Sequence, residues 1–367
     1  MQRALFIGSE IYRGSKYGTR HPLSIERVPA ATDLAAALGL MPRRLYRTSP
    51  RAKPEALAAF HTRDYIAALQ AAEAEGAVSD ETRARHGLGT LSNPVFPEMY
   101  RRPATAVGGG LLAAELVMSG AVRAVHNAGG GTHHALAGQA AGFCFLNEPV
   151  LTIMHLQRLG ARRVAYVDID AHHGDGVEIA FHGSEDVRVI SVHEDRRWPF
   201  TGSLEDTGGG AAFNLPVPRG FNDSELDYLM GAAVLPLAER FEPEAVFITC
   251  GADCLAGDPL AKLGLSNVAV WRAVGQLSGH TPRTVVVGGG GYLALKGRLD
   301  VADLVVFVVY MSQIFMPLMR LANLNEVLQK AAASAQRVFE LLDSPVEKDA
   351  AQKIRLPMNH GWDVEFE

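Results

Sequence analysis

The sequence predicts an α/β fold with a mainly parallel sheet covered by helices. Short apolar runs rich in β-branched residues recur along the first 295 residues, and helical patterns separate most of them. Most of these runs lack the alternation of a half-exposed strand, which is typical of strands buried on both faces. Alternating strands and helices favour a doubly wound parallel sheet.

Individual elements follow from local pattern. The strand pattern occurs in Ala4–Gly8, Arg123–Gly131, Arg163–Asp170, Val187–His193, Glu244–Asp253 and Arg283–Tyr292. The helical pattern occurs in Ala104–Ser119, Glu148–Leu159, Asp223–Arg240 and Asn267–Leu277. We expect Asp223 or Ser224 to cap the third helix, because such side chains accept hydrogen bonds from first-turn N–H groups.

Composition and charge narrow the functional classes. Of the 367 residues, 48% are hydrophobic and 20% are charged, as in ordinary globular proteins. A net charge of -5 argues against nucleic acid as a partner. Cys144, Cys250 and Cys254 lack the spacing of a disulfide framework, and the N-terminal apolar run is too short for a signal peptide. We therefore expect a cytoplasmic location.

Polar side chains cluster where the apolar strands end. The clusters are GGGTHHA with His133 and His134, DIDAHHGDG with Asp168, Asp170, His172, His173 and Asp175, GAD with Asp253, and GGGGY with Tyr292. In open α/β sheets, ligands bind at the carboxyl ends of the strands. We therefore expect these four segments to build one site.

Metal binding is the first chemistry that this cluster predicts. Asp170 and His172 lie two positions apart on one side of an extended chain, and Asp253 adds a third donor from another strand. Three protein ligands with one open position are typical of a catalytic zinc site. An isolated Asp-x-His pair more often forms an ion pair or a helix cap, but here several other ionisable groups converge on it.

Acid–base catalysis is the second chemistry that this cluster of polar residues predicts. His133 and His134 each need an orienting partner, and Asp168 and Asp175 remain available for that role. Tyr292 follows four glycines, and its phenol could donate to a developing oxyanion. A phosphate-binding loop is the alternative, although no Lys-Ser/Thr pair follows the glycines.

The whole motif set resembles the histone deacetylase superfamily, and within it the bacterial acetoin-utilisation-type deacetylases. The matching segments are HPLSIERV (21–28), FHTRDYI (60–66), GGGTHHA (129–135), GFCFLNE (142–148), YVDIDAHHGDGVEIAF (166–181), ISVHED (190–195), GADCLAGDPLAKLGLS (251–266) and GGGGY (288–292). They span about residues 1–295 in family order. The resemblance implies an arginase/deacetylase-type parallel sheet flanked by helices.

It also implies roles for individual residues. Asp170, His172 and Asp253 would bind a catalytic Zn²⁺ or Fe²⁺, His133 and His134 would be the acid–base pair oriented by Asp168 and Asp175, and Tyr292 would polarise the substrate carbonyl. Gly142, Phe143, Trp198 or Phe200, and Leu260 would border a narrow substrate channel. A structural K⁺ would be held by Asp168, Asp170, His172 and the Ser191–Val192 segment.

Two departures from the family pattern affect these expectations. The family often carries an acid in the loop at 89–96 that binds the backbone amides of the substrate, whereas this chain has Ser92. A small acetylated amine is therefore favoured over a peptide as the substrate.

The second departure concerns the C-terminal part of the chain. From about Val306 the chain resembles the last transmembrane helix and linker of an ABC exporter, without a Walker A motif. We expect a catalytic domain over 1–300 and an atypical helical tail over 301–367. The alternative to a joined exporter fragment is that the tail is an unusual native pair of helices.

The predicted function is metal-dependent hydrolysis of an N-acetyl group on an amine, either acetylated lysine or a small acetylated amine. Two alternatives stay open: an arginase-like hydrolase with two Mn²⁺, and an acetyl-ligand binder that the altered C-terminus has inactivated. We expect no membrane association of the catalytic domain, and the oligomeric state is left open.

Overall fold

The computed structural model of the chain describes residues 2–14, 27–281 and 283–290. All of them lie in the first of two compact units, Met1–Met319. They form one eight-stranded sheet in which every pairing is parallel. The predicted α/β class with a parallel sheet is confirmed.

The elements of this region have the following bounds. The strands are β1 Gln2–Gly8, β2 Tyr46–Thr48, β3 Val122–Asn127, β4 Val164–Asp168, β5 Val187–Glu194, β6 Ala212–Val217, β7 Ala245–Thr249 and β8 Thr284–Val287. The helices are α1 Ile11–Gly14, α2 Arg27–Ala37, α3 Pro54–Leu57, α4 Arg63–Glu75, α5 Asp80–His86, α6 Arg101–Met118, α7 Glu148–Arg158, α8 Asp175–Ala180, α9 Asp223–Leu229, α10 Leu235–Phe241 and α11 Asn267–Leu277.

The strand order explains why the polar clusters meet. It runs β2-β1-β3-β8-β7-β4-β5-β6, so the four strands that lead into the clusters are immediate neighbours. Asp168 at the end of β4 is in register with Ser191 of β5 and with Thr249 of β7. Asn127 at the end of β3 is in register with Val287 of β8. The carboxyl ends of β3, β8, β7 and β4 therefore lie along one edge of the sheet.

Both faces of the sheet are covered, which accounts for the continuously apolar strands. In β4, Val164 and Tyr166 pack on the face shared with α6 and α7, whereas Ala165 and Val167 pack on the face shared with α9 and α11. All four side chains are fully buried. A strand buried on both faces has no need of alternating polar residues.

Some sequence predictions need correction. Strands β2 and β6 were not predicted. The helix expected over Asp223–Arg240 is divided into α9, a π-helical turn Met230–Val234, and α10. Its N-cap is neither Asp223 nor Ser224 but Asn222, whose side chain accepts from the N–H groups of residues 224 and 225.

The carboxylate of Asp223 has a different partner. It accepts hydrogen bonds from the backbone N–H and the hydroxyl of Ser266, the residue that caps α11. Asp223 therefore joins the beginnings of two helices and is not free to cap its own.

Within the part of the chain that the structure describes, no helix is long and apolar enough to cross a membrane. The predicted tail, 301–367, and its resemblance to an exporter lie outside the described residues.

Candidate active site

A group of three potential metal ligands, two of them buried, lies at the carboxyl edge of the sheet. Asp170 and His172 follow β4, and Asp253 lies in the short turn that follows β7. Their ligand atoms all lie within 4.8 Å of one another. Nδ1 of His172 is 2.9 Å from Oδ2 of Asp253 and 3.3 Å from Oδ1 of Asp170. Two carboxylates and one imidazole around a common point suit a divalent cation.

The electrostatics of this group fit the same conclusion. Burial and the charge of Asp170 raise the pKa of Asp253 to about 6. Burial opposes protonation of His172, but hydrogen bonds to Asp170 and Asp253 outweigh it and raise the pKa of His172 to about 10. The negative charges of the two buried carboxylates are therefore stabilised by a positive charge beside them. Either a proton on His172 or a bound cation can supply that charge.

Glycines let the backbone close around these carboxylates. A Cβ atom on Gly251 would overlap the carboxylates of Asp170 and Asp253, and a Cβ on Gly290 would overlap that of Asp253. The backbone N–H of Gly290 donates to Oδ2 of Asp170 at 2.7 Å. Close approach to carboxylates is therefore the reason for glycine at positions 289 and 290 of the GGGGY segment.

His133 and His134 lie side by side next to the metal ligands. Nδ1 of His133 is 2.7 Å from Oδ2 of Asp168, and Nδ1 of His134 is 2.7 Å from Oδ1 of Asp175. Nε2 of His133 lies 3.9 Å from Oδ1 of Asp170. The structure thus brings together the two histidine–carboxylate pairs that the resemblance implies. Each ring uses Nδ1 for its carboxylate and can offer Nε2 to water or substrate.

The two imidazoles have opposite electrostatic environments. Burial lowers the pKa of His133, but the charges of Asp168 and Asp170 outweigh burial and raise it to about 9. Burial and the neighbouring charge of His133 lower the pKa of His134 to about 4. The ring centroids are 4.0 Å apart. The surrounding charges therefore make His133 the more basic of the two rings.

Trp198 forms one wall beside the histidines. Its ring meets His134 edge to face, with centroids 4.6 Å apart. A Cβ atom on Gly142 would overlap both of these rings. Trp198, and not the 74% exposed Phe200, therefore lies against the site.

The other predicted channel residues lie on two further loops. Phe143 directly follows Gly142 and has a positive φ of 67°. Leu260 lies on the loop after Asp253, where its N–H donates to Asp258 at 2.8 Å. Ser92 is exposed in a loop that is joined to this region by a bond from Nδ2 of Asn93 to the carbonyl of Cys144, at 3.1 Å. Tyr292 lies outside the described residues.

Sequence reasoning left some buried polar residues without a role. His173 is 2.9 Å from Oε2 of Glu178 and 2.8 Å from the hydroxyl of Thr201, so it anchors the loop that carries Trp198. Asn147 and Glu148, in the matched segment GFCFLNE, are completely buried behind the histidine pair. The only sequence signal for them was their place at the end of the GFCFLNE segment, where a predicted helix begins.

Fold and site together define a class of protein: a parallel α/β protein with a potential mononuclear metal centre and two carboxylate-oriented histidines at the carboxyl edge of its sheet. A family model described as the histone deacetylase domain matches residues 21–305. The chain belongs to the histone deacetylase family, as the sequence motifs indicate.

Relatives from distant organisms share this likeness. The chain is 35% identical over 305 residues to the acetoin utilization protein AcuC of Bacillus subtilis, covering 80% of this chain and 78% of that protein. It is 35% identical over 272 residues to histone deacetylase 8 of Xenopus tropicalis, covering 72% of this chain and 73% of that protein. It also matches the crystal structure of an HDAC homolog complexed with SAHA, with a TM-score of 0.76, 32% identity, and coverage of 85% of this chain and 83% of that one.

Proposed function

We propose that the protein is a metal-dependent deacetylase that hydrolyses the N-acetyl group of an acetylated amine. One observation carries the proposal. Three potential metal ligands, of which Asp170 and Asp253 are buried, lie at the same edge of the sheet as two histidines that are each paired with a carboxylate. Membership of the histone deacetylase family supports the same reaction.

The cation in this proposal is Zn²⁺ or Fe²⁺, held by Asp170, His172 and Asp253. Oxygen and imidazole donors suit either metal. A cation bound there supplies Lewis-acid chemistry, which polarises an amide carbonyl and lowers the pKa of a water molecule. We assign the structural K⁺ to Asp168, Asp170, His172 and the Ser191–Val192 segment.

The histidine pair performs the proton transfers. With Nδ1 bound to Asp168 or Asp175, each imidazole keeps a fixed tautomer and presents Nε2. One of the two rings takes the proton of the attacking water. One of them then protonates the leaving amine. Tyr292 donates a hydrogen bond to the developing oxyanion.

The substrate of this proposal is a small acetylated amine, with acetylated lysine as the second candidate. Ser92 has no charge with which to bind the backbone amides of a peptide, and it lies in the loop next to Cys144. In this proposal Gly142, Phe143, Trp198 and Leu260 form the walls of the channel.

We assign the catalytic domain to residues 1–300 and a separate tail to residues 301–367. The family match, which ends at residue 305, supports this division. The exporter resemblance of the tail and the cytoplasmic location stay predictions, and the oligomeric state stays open.

The proposal is tested on full-length protein that has been stripped of metal and reloaded with Zn²⁺ or Fe²⁺. Turnover of an acetyl-lysine peptide and of an acetylpolyamine is measured with and without chelator, together with metal content. Asp253→Asn is expected to lose metal and turnover, and Asp195→Asn, which changes an exposed acid outside the site, is expected to keep both. Hydroxamate binding without turnover by wild type would favour the inactive binder, and two metal ions per chain would favour the arginase-like alternative.

A further inference from the structure

The beginning of α7 lies directly behind the loop that carries the histidine pair. Asn147 is the N-cap of this helix, and its Oδ1 accepts from the N–H of Val150 at 3.1 Å. Its own backbone N–H donates to Nε2 of His61 at 3.0 Å. Asn147 has no exposed surface. The backbone and Oδ1 of Asn147 are therefore both held in place, which leaves Nδ2 to bind elsewhere.

The amide group of Asn147 joins the backbone on both sides of His134. Nδ2 lies 3.2 Å from the carbonyl oxygen of His133 and 2.9 Å from that of Ala135. An amide nitrogen carries two hydrogens, so it can donate to both oxygens at once. These two bonds define the orientation of the peptide group that precedes His134 and of the peptide group that follows Ala135.

The same point is closed from the opposite side by α8. A Cβ atom on Gly176 would lie 2.6 Å from the carbonyl oxygen of His133 and 2.8 Å from Nδ2 of Asn147. Gly176 follows Asp175, whose carboxylate is 2.7 Å from Nδ1 of His134. The amide of Asn147 is therefore packed between the histidine backbone and the helix that supplies the carboxylate partner.

Glu148 secures the preceding part of the loop. Its Oε2 accepts from the N–H of Gly131 at 3.0 Å, and its own N–H donates to the hydroxyl of Thr132 at 3.3 Å. That hydroxyl in turn donates to the carbonyl of Leu146 at 2.6 Å. Glu148 thus holds the segment before His133, and Asn147 holds the two peptide groups that flank His134 and Ala135.

We infer that Asn147 is a positioning residue for the acid–base histidines. Its amide holds the backbone of residues 133–135 in the orientation that lets His134 reach Asp175 with Nδ1 and present Nε2 to the reacting atoms. This inference rests on the proposed function. Asn147 acts through His134 and does not itself touch the substrate.

The two roles of Asn147 can be separated by substitution. Asp and Ser also accept a hydrogen bond at an N-cap, but neither offers the two donors of an amide. Asn147→Ser and Asn147→Asp therefore retain a cap for α7 and lose the bridge to the carbonyls of His133 and Ala135. Ser266→Ala is the matched control, since it removes the cap of α11 without changing this bridge.

The experiment compares these variants with wild type as full-length, Zn²⁺-loaded protein. For Asn147→Ser we expect kcat to fall about 10- to 100-fold, because a small displacement of a catalytic group is enough to slow proton transfer, while KM changes less than about two-fold. Metal content stays near that of wild type. In proton NMR spectra, the downfield resonance of the His134 Nδ1–H group shifts or broadens. Ser266→Ala lowers the melting temperature and leaves kcat and this resonance unchanged.

An unchanged kcat and an unchanged resonance in folded Asn147→Ser would overturn the inference. So would an equal loss of kcat in Ser266→Ala, because the effect would then be one of stability. If wild type shows no deacetylase activity, the proposed function fails while the resonance still decides the role of Asn147. If neither Asn147 variant folds, Gly176→Ala replaces them, because its added methyl group would displace the amide of Asn147 and the carbonyls of His133 and Ala135. A resonance and a kcat equal to those of wild type in that variant would count against the inference.

Discussion

Asp168 and Asp175 orient neighbouring histidines in very different surroundings. Asp168 is completely buried and also accepts from the hydroxyl of Tyr166 at 2.6 Å and from the N–H of Asp170 at 3.0 Å. The side chain of Asp175 keeps 17% of its surface exposed. The same substitution should therefore have different costs at the two positions.

We expect Asp175→Asn to reduce kcat by roughly 10²- to 10⁴-fold with little loss of stability, because an amide can present its NH₂ group to Nδ1 and reverse the tautomer of His134. Asp168→Asn should reduce kcat and also lower the free energy of unfolding by about 1–3 kcal/mol, since buried donors lose their acceptor. Steady-state kinetics and urea unfolding measure the two effects. Wild-type kcat in Asp175→Asn would contradict the acid–base role of His134.

Trp198 should act mainly on substrate binding. Its ring packs edge to face on His134 and leaves 38% of its surface exposed. Aromatic contacts of this kind contribute about 0.5–1.5 kcal/mol beyond area burial. We expect Trp198→Ala to raise KM about 2- to 10-fold and Trp198→Phe to restore most of the loss. Titration with a hydroxamate gives an independent measure, and equal affinity in all three proteins would exclude Trp198 from the channel.

At the scale of elements, α6 is pressed against the carboxylate of Glu148. A Cβ atom on Gly110 of α6 would overlap that carboxylate and the hydroxyl of Thr152. Gly275 of α11 has no neighbouring atom within 4 Å of such a Cβ. Both glycines lie inside α-helices, but they differ in the space around them.

We therefore expect opposite signs from one substitution. Gly110→Ala should lower the free energy of unfolding by about 1–3 kcal/mol through overpacking. Gly275→Ala should raise it by about 0.5–1 kcal/mol, because alanine is the better helix former. Urea denaturation of both variants tests this, and stabilisation by Gly110→Ala would contradict the close packing of Gly110 against Glu148 and Thr152.

Elements with strong local signals could be predicted closely, and edge elements could not. Helix α11 has the predicted bounds because Ser266 caps it and its apolar residues face the core. Strand β6 is the edge of the described sheet and includes Asn214 and Pro216, which interrupt a strand pattern. The cap at Asn222 was predictable in principle, since Glu225 follows three positions later as in a capping box.

At the scale of the whole molecule, the meeting of the polar clusters depends on strand order. Their position at strand ends could be read from the sequence, but the order β3-β8-β7-β4 could not. The bridge formed by Asn147 was equally invisible, because its partners are backbone carbonyls that any residue possesses. Chemistry-bearing side chains leave a pattern in a sequence, whereas the groups that position them through the backbone do not.

The buried carboxyl group of Glu148 links the stability of the whole fold to pH. Burial raises the pKa of Glu148 from 4.5 to about 7 in the folded protein. The folded state therefore binds more protons than the unfolded state between these values. This contribution to stability is fully present below pH 4.5 and is lost as the pH rises through about 7, and it amounts to roughly 3 kcal/mol.

A variant that cannot titrate isolates this effect. We compare the free energy of unfolding of Glu148→Gln with that of wild type at each pH. The difference, variant minus wild type, should increase by up to about 3 kcal/mol between pH 4.5 and 7, whatever its value at pH 4.5. Glu244→Gln is the control of opposite sign, because the N–H and guanidinium of Arg162 lower the pKa of Glu244. That variant should lose stability relative to wild type as the pH rises through 4.5. Urea denaturation at several pH values measures both differences, and a flat profile for Glu148→Gln would mean that Glu148 is as readily ionised in the folded protein as in the unfolded chain.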